Sequence, residues 1–328
     1  MRILVTGGAG FIGSHFAKRL AAAGQEVVVL DKLTYSGNRA NLAGADVEFV
    51  QGDIADRKTV AAVAEGCAAI VNFAAETHVD RSILGAAEFI DTDVLGTYVL
   101  LDWVREHGAR FVQVSTDEVY GDVPEGRSSK EDDALWPSSP YSASKAGGDL
   151  QVLAAVRTYG VDASISRGSN TYGPNQYPEK IIPLFITNAL DREPLPLYGD
   201  GRQTRDWLHV EDHCTGIEVV LHAGEAGELY NLGAGEEIEN RELTRRILEL
   251  TGADESLVRH VADRPGHDRR YSLDTSKLRG LGWKPVRTLA DGLPETVAWY
   301  RDNRDWWESI KSGEYLAYYR QQYAARLS

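Results

Sequence analysis

The chain has 328 residues and a formal net charge of −14, and 43% of its residues are hydrophobic. This composition is ordinary for a globular protein, and the length allows two domains or one large α/β unit. An acidic chain is a poor partner for nucleic acid, because phosphate binding needs a basic surface. No apolar run approaches the ~18 residues that a membrane span needs. Cys67 and Cys214 are far apart, so we expect no disulfide, no metal site and a cytoplasmic location.

Apolar runs and helical patterns alternate along the first 168 residues. Strands are predicted at 2–6, 26–30, 47–50, 68–73, 110–114 and 163–167, and helices at 11–23, 56–65, 84–107 and 142–159. Such alternation predicts right-handed βαβ crossovers and a parallel sheet. After residue 168 prolines and aromatic residues cluster, and helices are predicted near 180–190 and 240–251. We therefore predict a first domain at 1–168 and a smaller one at 169–328, with parts of 205–225 as candidates for returning to the first.

A glycine-rich turn, Gly7-Gly8-Ala9-Gly10-Phe11-Ile12-Gly13, follows the first predicted strand and begins a helix. Glycines let the backbone approach a pyrophosphate, and the helix N-terminus offers free N–H groups to its phosphates. Asp31 ends the second strand, where a carboxylate accepts hydrogen bonds from ribose hydroxyls. The same carboxylate repels a 2′-phosphate by about 4 kcal/mol per unit charge at ~4 Å, which favours NAD over NADP. Asp53 is expected near the adenine, with capping of a helix as the alternative.

Tyr141 and Lys145 are four residues apart, in the run Tyr141-Ser142-Ala143-Ser144-Lys145. Residues at this spacing share one face of a helix. A nearby ammonium group lowers the pKa of a phenol. Tyr141 is therefore a candidate base that takes a proton from a sugar hydroxyl while hydride leaves the adjacent carbon.

Two neighbouring acids, Asp117 and Glu118, follow the fifth predicted strand. A pair of carboxyl groups at the end of a parallel strand can supply a proton donor and a proton acceptor to one substrate. Adjacent residues of a regular strand face opposite sides, so both acids can face one sugar only if the strand ends near Thr116. The alternative is that they are solvated loop charges, or that one of them caps a helix.

These motifs resemble the extended short-chain dehydrogenase/reductase superfamily, in its NAD-dependent epimerase/dehydratase family, and most closely the dTDP-glucose 4,6-dehydratases. The matching runs are 6–13, 31–35, 74–82, 115–121, 141–145, 178–180, 198–201, 205–207 and 263–271. They extend through nearly the whole chain, and the Asp117-Glu118 pair is the most specific, because related epimerases lack it. The resemblance implies an α/β fold, namely a Rossmann-type doubly wound parallel sheet with a smaller C-terminal substrate-binding domain. It also implies NAD as cofactor and a homodimer formed through the helices at 84–107 and 142–159.

The resemblance further implies a role for each catalytic residue in the dehydration of dTDP-glucose to a 4-keto-6-deoxy sugar. Tyr141, tuned by Lys145, is the base for oxidation at C4, and Thr116 contacts the C4 oxygen. Glu118 takes the proton from C5, Asp117 protonates the departing C6 hydroxyl, and hydride returns to C6. The implied cofactor contacts are Gly7, Gly10, Phe11, Ile12, Gly13, Asp31, Lys32, Leu33, Thr34, Asp53, Ile54, Phe73, Ala74, Ala75, Thr92, Tyr141 and Lys145. The implied substrate contacts, each with a purely structural role as its alternative, are Thr77, Thr116, Asn170, Lys180, Ile181, Pro196, Leu197, Tyr198, Arg205, Asn240, Asp263, Arg264 and His267.

The chain departs from the usual family pattern at three positions. Gly168 and Thr171 stand where Cys and Asn are expected, and Thr77 stands where Ser is common.

Two rival functions remain open. A sugar-nucleotide 4-epimerase shares the oxidation step but needs no acid–base pair for water loss, and a non-catalytic NAD(P)-binding regulator needs neither Tyr141 nor Lys145.

Overall fold

A seven-stranded parallel sheet forms the centre of the fold in the computed structural model, which describes residues 1–327. Its strand order is β10-β6-β5-β4-β1-β2-β3, and every neighbouring pair is parallel. The strands are β1 Arg2–Thr6, β2 Glu26–Asp31, β3 Glu48–Gln51, β4 Ala69–Asn72, β5 Arg110–Thr116, β6 Ala163–Gly168, β7 Asn170–Tyr172, β8 Leu195–Tyr198, β9 Thr204–His209, β10 Leu229–Leu232, β11 Glu237–Glu239 and β12 Val258–Val261. The predicted fold class is confirmed.

Helices cover both faces of this sheet. Together with the helices of the smaller region, the helices of the described chain are α1 Phe11–Ala22, α2 Arg57–Val63, α3 Val79–Leu84, α4 Ala87–Ile90, α5 Thr97–His107, α6 Pro140–Tyr159, α7 Ile181–Asp191, α8 Val210–Ala223, α9 Asn240–Thr251, α10 Ser276–Gly280, α11 Leu289–Asp302, α12 Arg304–Ile310 and α13 Glu314–Leu327. Side chains of α1 and α8 pack on one face, and those of α2, α5 and α6 pack on the other. Strands covered on both sides are apolar throughout rather than alternating, as the buried run 27–30 of β2 shows.

The chain reverses direction across the sheet between β1 and β4. From β1 it moves outward through β2 to β3, and it then returns to the other side of β1 as β4. Ligands of such open α/β sheets bind outside the carboxyl ends of the strands at this switch point. The topology therefore brings the glycine turn after β1 to the same edge as the residues that follow β4, β5 and β6.

The second half of the chain contributes to two regions. Helix α8 packs against α1, β5 and β6, and β10 pairs with β6 through Leu229 and Ile165. The other strands form the small sheets β11-β9-β7 and β12-β8, whose core is built largely by α7, α9 and α11. Helix α8 lies within the predicted returning segment 205–225, whereas β10 lies beyond it. The division at residue 168 stays a prediction.

The helix predicted as one piece at 84–107 is interrupted, so that prediction is wrong in this detail. Helix α3 ends at Leu84, and Gly85 is extended (φ −163°, ψ 116°). Glycine is a poor helix former because it has the most backbone freedom to lose. A helix resumes at Ala87, passes through a π-helical segment at Asp91–Gly96 and continues as α5.

Residues 1–327 contain no helix with both the length and the hydropathy needed to cross a membrane. Within the same range, no cluster of three or more His, Cys, Asp or Glu side chains is arranged to hold a metal ion.

Candidate active site

The carboxyl edge of the large sheet opens into a cleft with an empty volume of about 1500 Å³, part of it open to solvent. The structure brings all five predicted catalytic residues and most predicted cofactor contacts to its wall. The predicted residues on the wall are Gly7, Gly10, Phe11, Ile12, Gly13, Asp31, Lys32, Thr34, Asp53, Ile54, Phe73, Ala74, Ala75, Thr77, Thr92, Thr116, Asp117, Glu118, Tyr141, Lys145, Asn170 and Lys180. The predicted residues that do not line it are Leu33, Ile181, Pro196, Leu197, Tyr198, Arg205, Asn240, Asp263, Arg264 and His267.

The glycine turn needs glycine for steric reasons. Gly7 has a φ of +66°, and a Cβ atom there would lie 2.5 Å from the backbone nitrogen of Ala74. A Cβ atom at Gly13 would lie 2.3 Å from the carbonyl oxygen of Gly7. Both neighbours are backbone atoms, which cannot swing aside. The absence of side chains leaves the N-terminus of α1 open to the cleft, which suits a pyrophosphate.

The ends of β2 and β3 carry the acidic residues expected near an adenosine. Asp31 accepts hydrogen bonds from the N–H groups of Ala9 (2.9 Å) and Leu33 (2.8 Å), and burial raises its pKa. Each carboxylate oxygen accepts more than one hydrogen bond, so both can also accept from a ribose. Leu33 contributes here through its backbone only. Asp53 pairs with Lys32 at 2.8 Å, and Asp56 caps α2, so the capping alternative for Asp53 is wrong.

The acid pair lies where the strand gives way to a different conformation. β5 ends at Thr116, and Asp117–Tyr120 form a 3₁₀ helix. The Thr116 hydroxyl donates to Oδ1 of Asp117 at 3.2 Å and accepts the N–H of Glu118 at 3.3 Å. Asp117 is only 3% exposed. The expectation that the strand ends near Thr116 is confirmed, and the alternative of solvated loop charges is wrong.

The surroundings of the two acids push their protonation states apart. Burial raises the pKa of Asp117 well above its ordinary value, and the charge of Glu118 raises it further. Burial also raises the pKa of Glu118, but Arg264, Lys180 and Arg205 act against this shift. Two carboxyl groups in such different settings can serve as a proton donor and a proton acceptor. The geometry therefore suits Asp117 as the acid and Glu118 as the base.

Helix α6 places Tyr141 and Lys145 on the cleft wall. Lys145 Nζ donates to the carbonyl oxygen of Val114 at 2.9 Å. The expected lowering of the Tyr141 pKa is wrong in this structure. Burial and the charges of Glu118, Asp93 and Asp117 raise it well above 10, although the hydrogen bond with Thr116 opposes the rise.

Four of the predicted substrate residues form a polar cluster beside the cleft. Nδ1 of His267 lies 2.6 Å from Oδ1 of Asp263, and the rings of His267 and Tyr198 meet edge to face with centroids 5.9 Å apart. Arg264 reaches Asp80 at 3.4 Å, and the Tyr198 hydroxyl donates to the same carboxylate at 3.1 Å. This cluster of Tyr198, Asp263, Arg264 and His267 can present a cation and an aromatic ring to a nucleotide.

The other predicted substrate residues away from the cleft wall are buried or packed against a core. Arg205 is 5% exposed, donates to the carbonyl oxygen of Asp268 at 2.9 Å and lies over the ring of Tyr271 at 4.1 Å. Pro196 is buried, and Leu197 belongs to the apolar core of the smaller region. Ile181 packs against that core, and Asn240 is 8% exposed. A contact of these residues with substrate stays a prediction.

Sequence reasoning missed a histidine on the cleft wall. His213 is 2% exposed, and its Nδ1 lies 2.6 Å from the Thr171 hydroxyl. A Cβ atom at Gly168 would lie 2.4 Å from Cε1 of this ring. The departures at positions 168 and 171 are therefore linked, because the glycine makes room for the imidazole that the threonine contacts. The two departures from the family pattern, at positions 168 and 171, were the signal in the sequence that could have indicated a residue such as His213 near them. Glu76, which belongs to the matching run 74–82 of the sequence analysis, lines the cleft as well, and burial raises its pKa to about 7.

The GDP-mannose 4,6 dehydratase family model matches residues 4–296 of the chain. The chain belongs to this family. It is 56% identical to the dTDP-glucose 4,6-dehydratase of Streptomyces niveus over 324 residues, which cover 95% of the chain and 96% of the relative. Among solved structures, the dTDP-glucose 4,6-dehydratase DesIV from Streptomyces venezuelae, with NAD and TYD bound, has a TM-score of 0.93 and 56% identity. The match covers 95% of the present chain and 100% of the DesIV chain. The UDP-glucose 4-epimerase of Thermus thermophilus, a complex with NAD, has a TM-score of 0.88 and 33% identity, covering 92% of this chain and 100% of that one.

Proposed function

We propose that this protein is an NAD-dependent 4,6-dehydratase that converts dTDP-glucose to dTDP-4-keto-6-deoxyglucose. The observation that carries the proposal is the pair of the buried Asp117 and the half-buried Glu118 on the same cleft wall as Tyr141 and Lys145. An oxidation needs only the second pair, whereas elimination of water also needs the first.

NAD fits the cleft for reasons that lie in the chain itself. The bare turn at Gly7 and Gly13 and the open N-terminus of α1 suit a pyrophosphate. Asp31 suits a ribose with free hydroxyls and disfavours a 2′-phosphate. Bound NAD would supply the acceptor for hydride from C4 and the donor of hydride to C6. Because the same molecule is consumed and regenerated in each cycle, we propose that it stays bound.

The protein's own groups move the protons. Tyr141 takes the proton of the C4 hydroxyl, while the Thr116 hydroxyl binds the C4 oxygen and helps to polarise it. The resulting ketone acidifies C5, where Glu118 removes a proton. Asp117 protonates the C6 hydroxyl, which leaves as water, and Glu118 returns its proton to C5. Removal and return of a proton by one carboxylate require Glu118 to be ionised first, and the cations around it favour that state.

The dTDP part of the proposal rests on the relatives together with the polar cluster of Tyr198, Asp263, Arg264 and His267. We propose that this cluster, with Thr77, Asn170 and Lys180 on the cleft wall, holds the nucleotide sugar. Arginine is suited to forked contacts with phosphate. The half-buried Lys180 adds a second cation close to Glu118.

We also propose a homodimer built on the helical segments α3–α6. Large apolar side chains on these segments are unusually exposed: Ile83 41%, Leu84 54%, Ile90 56%, Leu95 45%, Tyr98 43%, Leu150 55% and Tyr159 60%. Several exposed apolar side chains on neighbouring helices indicate an interaction site, and paired helices from two copies would bury them as a four-helix bundle. A cytoplasmic location fits the two cysteines, which are buried and unbridged.

Transfer of a label from C4 tests the function. The protein is incubated with dTDP-glucose deuterated at C4, and the product is analysed by mass spectrometry and NMR. A dehydratase moves the deuterium to C6 and lowers the product mass by one water. Deuterium that remains at C4 in an epimerised sugar would show a 4-epimerase, and no product would support the regulator.

A further inference from the structure

The C-terminal helix α13 contacts segments that carry predicted substrate residues, although it lies beyond every run of sequence that carries the family resemblance. Two of its side chains reach inward and are buried. The Tyr315 hydroxyl donates to the carbonyl oxygen of Pro178 at 3.1 Å. Nε2 of Gln322 donates to the Tyr198 hydroxyl at 2.8 Å. The second contact joins the helix to the polar cluster that we propose as the nucleotide site.

The hydrogen bond from Gln322 fixes the direction in which the Tyr198 hydroxyl donates. A hydroxyl group has one proton and can accept two hydrogen bonds, whereas an amide nitrogen can only donate. Tyr198 therefore accepts from Gln322 and gives its own proton to Oδ2 of Asp80, at 3.1 Å. Were the amide oxygen of Gln322 turned toward Tyr198, the phenol proton would go to that oxygen and Asp80 would lose a donor. The amide nitrogen thus keeps the phenol proton directed at Asp80.

Asp80 is a buried carboxylate, only 3% exposed. On its other side, Nη1 of Arg264 lies 3.4 Å from its Oδ1. Nδ1 of His78 is 3.8 Å away, but burial lowers the pKa of His78 well below its usual value, so the ring is neutral. Nε2 of this ring lies 3.2 Å from the carbonyl oxygen of Glu179. Because that oxygen can only accept, the ring proton is on Nε2, and Tyr198 and Arg264 are the side-chain donors to Asp80 among the described residues.

Arg264 presents an unpaired donor to the proposed nucleotide site. Its Nη1 faces Asp80, whereas its Nε is buried and has no hydrogen-bond partner among the residues that the structure describes. A buried donor without a partner is costly unless a ligand satisfies it. A phosphate oxygen suits this position, because guanidinium groups make forked, charge-assisted contacts with phosphate. Asp80, by holding Nη1, sets the direction in which the rest of the guanidinium points.

We infer, on the basis of the proposed function, that Gln322 is a positioning residue for the diphosphate of the nucleotide sugar. It acts through the Tyr198 hydroxyl and Asp80, which together hold the Arg264 guanidinium in the orientation that meets the phosphates. None of these four residues belongs to the proposed NAD contacts. A residue near the end of the chain therefore sets the affinity for the nucleotide sugar and leaves the affinity for NAD unchanged.

Gln322→Met tests the inference, because methionine has nearly the length of glutamine and cannot donate the hydrogen bond. Gln321→Met, at the exposed neighbouring position, is the matched control. Gln322→Glu is a second variant that keeps the size of the side chain but accepts instead of donating. Calorimetry gives the dissociation constants for NAD and, on the NAD-loaded enzyme, for dTDP. Kinetics give kcat and KM for dTDP-glucose, and circular dichroism checks each fold.

For Gln322→Met we expect the dissociation constant for dTDP to rise roughly fivefold, the effect of one lost hydrogen bond. KM for dTDP-glucose should rise by a similar factor, whereas kcat and the affinity for NAD should stay within about twofold of the wild type. Gln322→Glu should weaken dTDP binding at least as much, because its carboxylate would take the Tyr198 proton from Asp80. Gln321→Met should behave as the wild type.

A double-mutant cycle with Tyr198→Phe shows whether the effect passes through the phenol. Phenylalanine keeps the ring and removes the hydroxyl, so in this background Gln322→Met should change dTDP affinity by less than about twofold. Equal losses in both backgrounds would overturn the inference, because Gln322 would then act through helix packing alone. Unchanged dTDP affinity of Gln322→Met, or a loss confined to kcat, would also overturn it while leaving the dehydratase function intact. If the wild type does not bind dTDP, the proposed nucleotide itself fails.

Discussion

The substitution Asp117→Asn separates the acid from its surroundings. Asp117 is buried, and its raised pKa favours the neutral carboxylic acid, so a neutral amide of the same size is a close replacement. The amide oxygen can still accept the 3.2 Å hydrogen bond from Thr116. Only the ability to deliver a proton is removed. We therefore expect substrate affinity to be nearly unchanged and the loss to fall on kcat.

The size of that loss follows from the role of the group. A positioned general acid contributes about 10²–10⁴-fold, which corresponds to about 3–5.5 kcal/mol of activation free energy. The upper end applies to a poor leaving group, and hydroxide is one of the poorest. Replacing the C6 hydroxyl of the substrate by fluoride supplies a leaving group that needs less help from an acid. On this analogue, Asp117→Asn should lose no more than about 10-fold.

The assay compares kcat and KM of the wild type and Asp117→Asn on dTDP-glucose and on its 6-deoxy-6-fluoro analogue. Formation of the keto sugar and release of fluoride are followed in parallel. The reasoning is refuted if the variant loses the same factor on both substrates, or if the loss lies in KM. Either result would mean that Asp117 binds the sugar or organises the site rather than protonating the leaving group.

Three other substitutions test separate parts of the site. Glu118→Gln should leave oxidation at C4 in place, seen as absorbance of the reduced nicotinamide, while water loss falls by at least about 100-fold; normal turnover would remove Glu118 as the base. Gly13→Ala puts a Cβ atom 2.3 Å from the Gly7 carbonyl, so NAD affinity by calorimetry should fall at least about tenfold, or by about 1.4 kcal/mol. Wild-type affinity would mean that the turn does not carry the pyrophosphate. Gly168→Ala should lower the free energy of unfolding in urea by about 1–3 kcal/mol through overpacking against His213. This cost should largely disappear in a His213→Ala background, and an equal cost in both would contradict the contact.

The local chemistry of the site was accessible from short runs of sequence. The turn at Gly7–Gly13, the four-residue spacing of Tyr141 and Lys145 and the acids after the fifth strand all depend on neighbours a few residues apart. Backbone sterics and helical periodicity determine such features within one or two turns. The structure places every one of these catalytic residues on one cleft wall.

Contacts between distant parts of the chain were beyond such reasoning. His213 meets Thr171 across 42 residues, and Arg264 meets Asp80 across 184. The joint reason for the departures at positions 168 and 171 appears only when α8 is folded onto the large sheet. The contacts of Tyr198 and Arg264 with Asp80 likewise appear only in the folded chain, because no local pattern indicates them.

The alternation of strands and helices, the turn chemistry and the residue types of the site were therefore determined by the sequence itself, because each is a property of neighbouring residues. The tertiary structure alone decided the electrostatic state of those groups. The position of Lys145 four residues after Tyr141 predicted a lowered pKa for Tyr141, yet burial and three carboxylates from two other elements raise that pKa. Desolvation and charge–charge energies depend on what surrounds a group in space, and that surrounding exists only after the chain has folded.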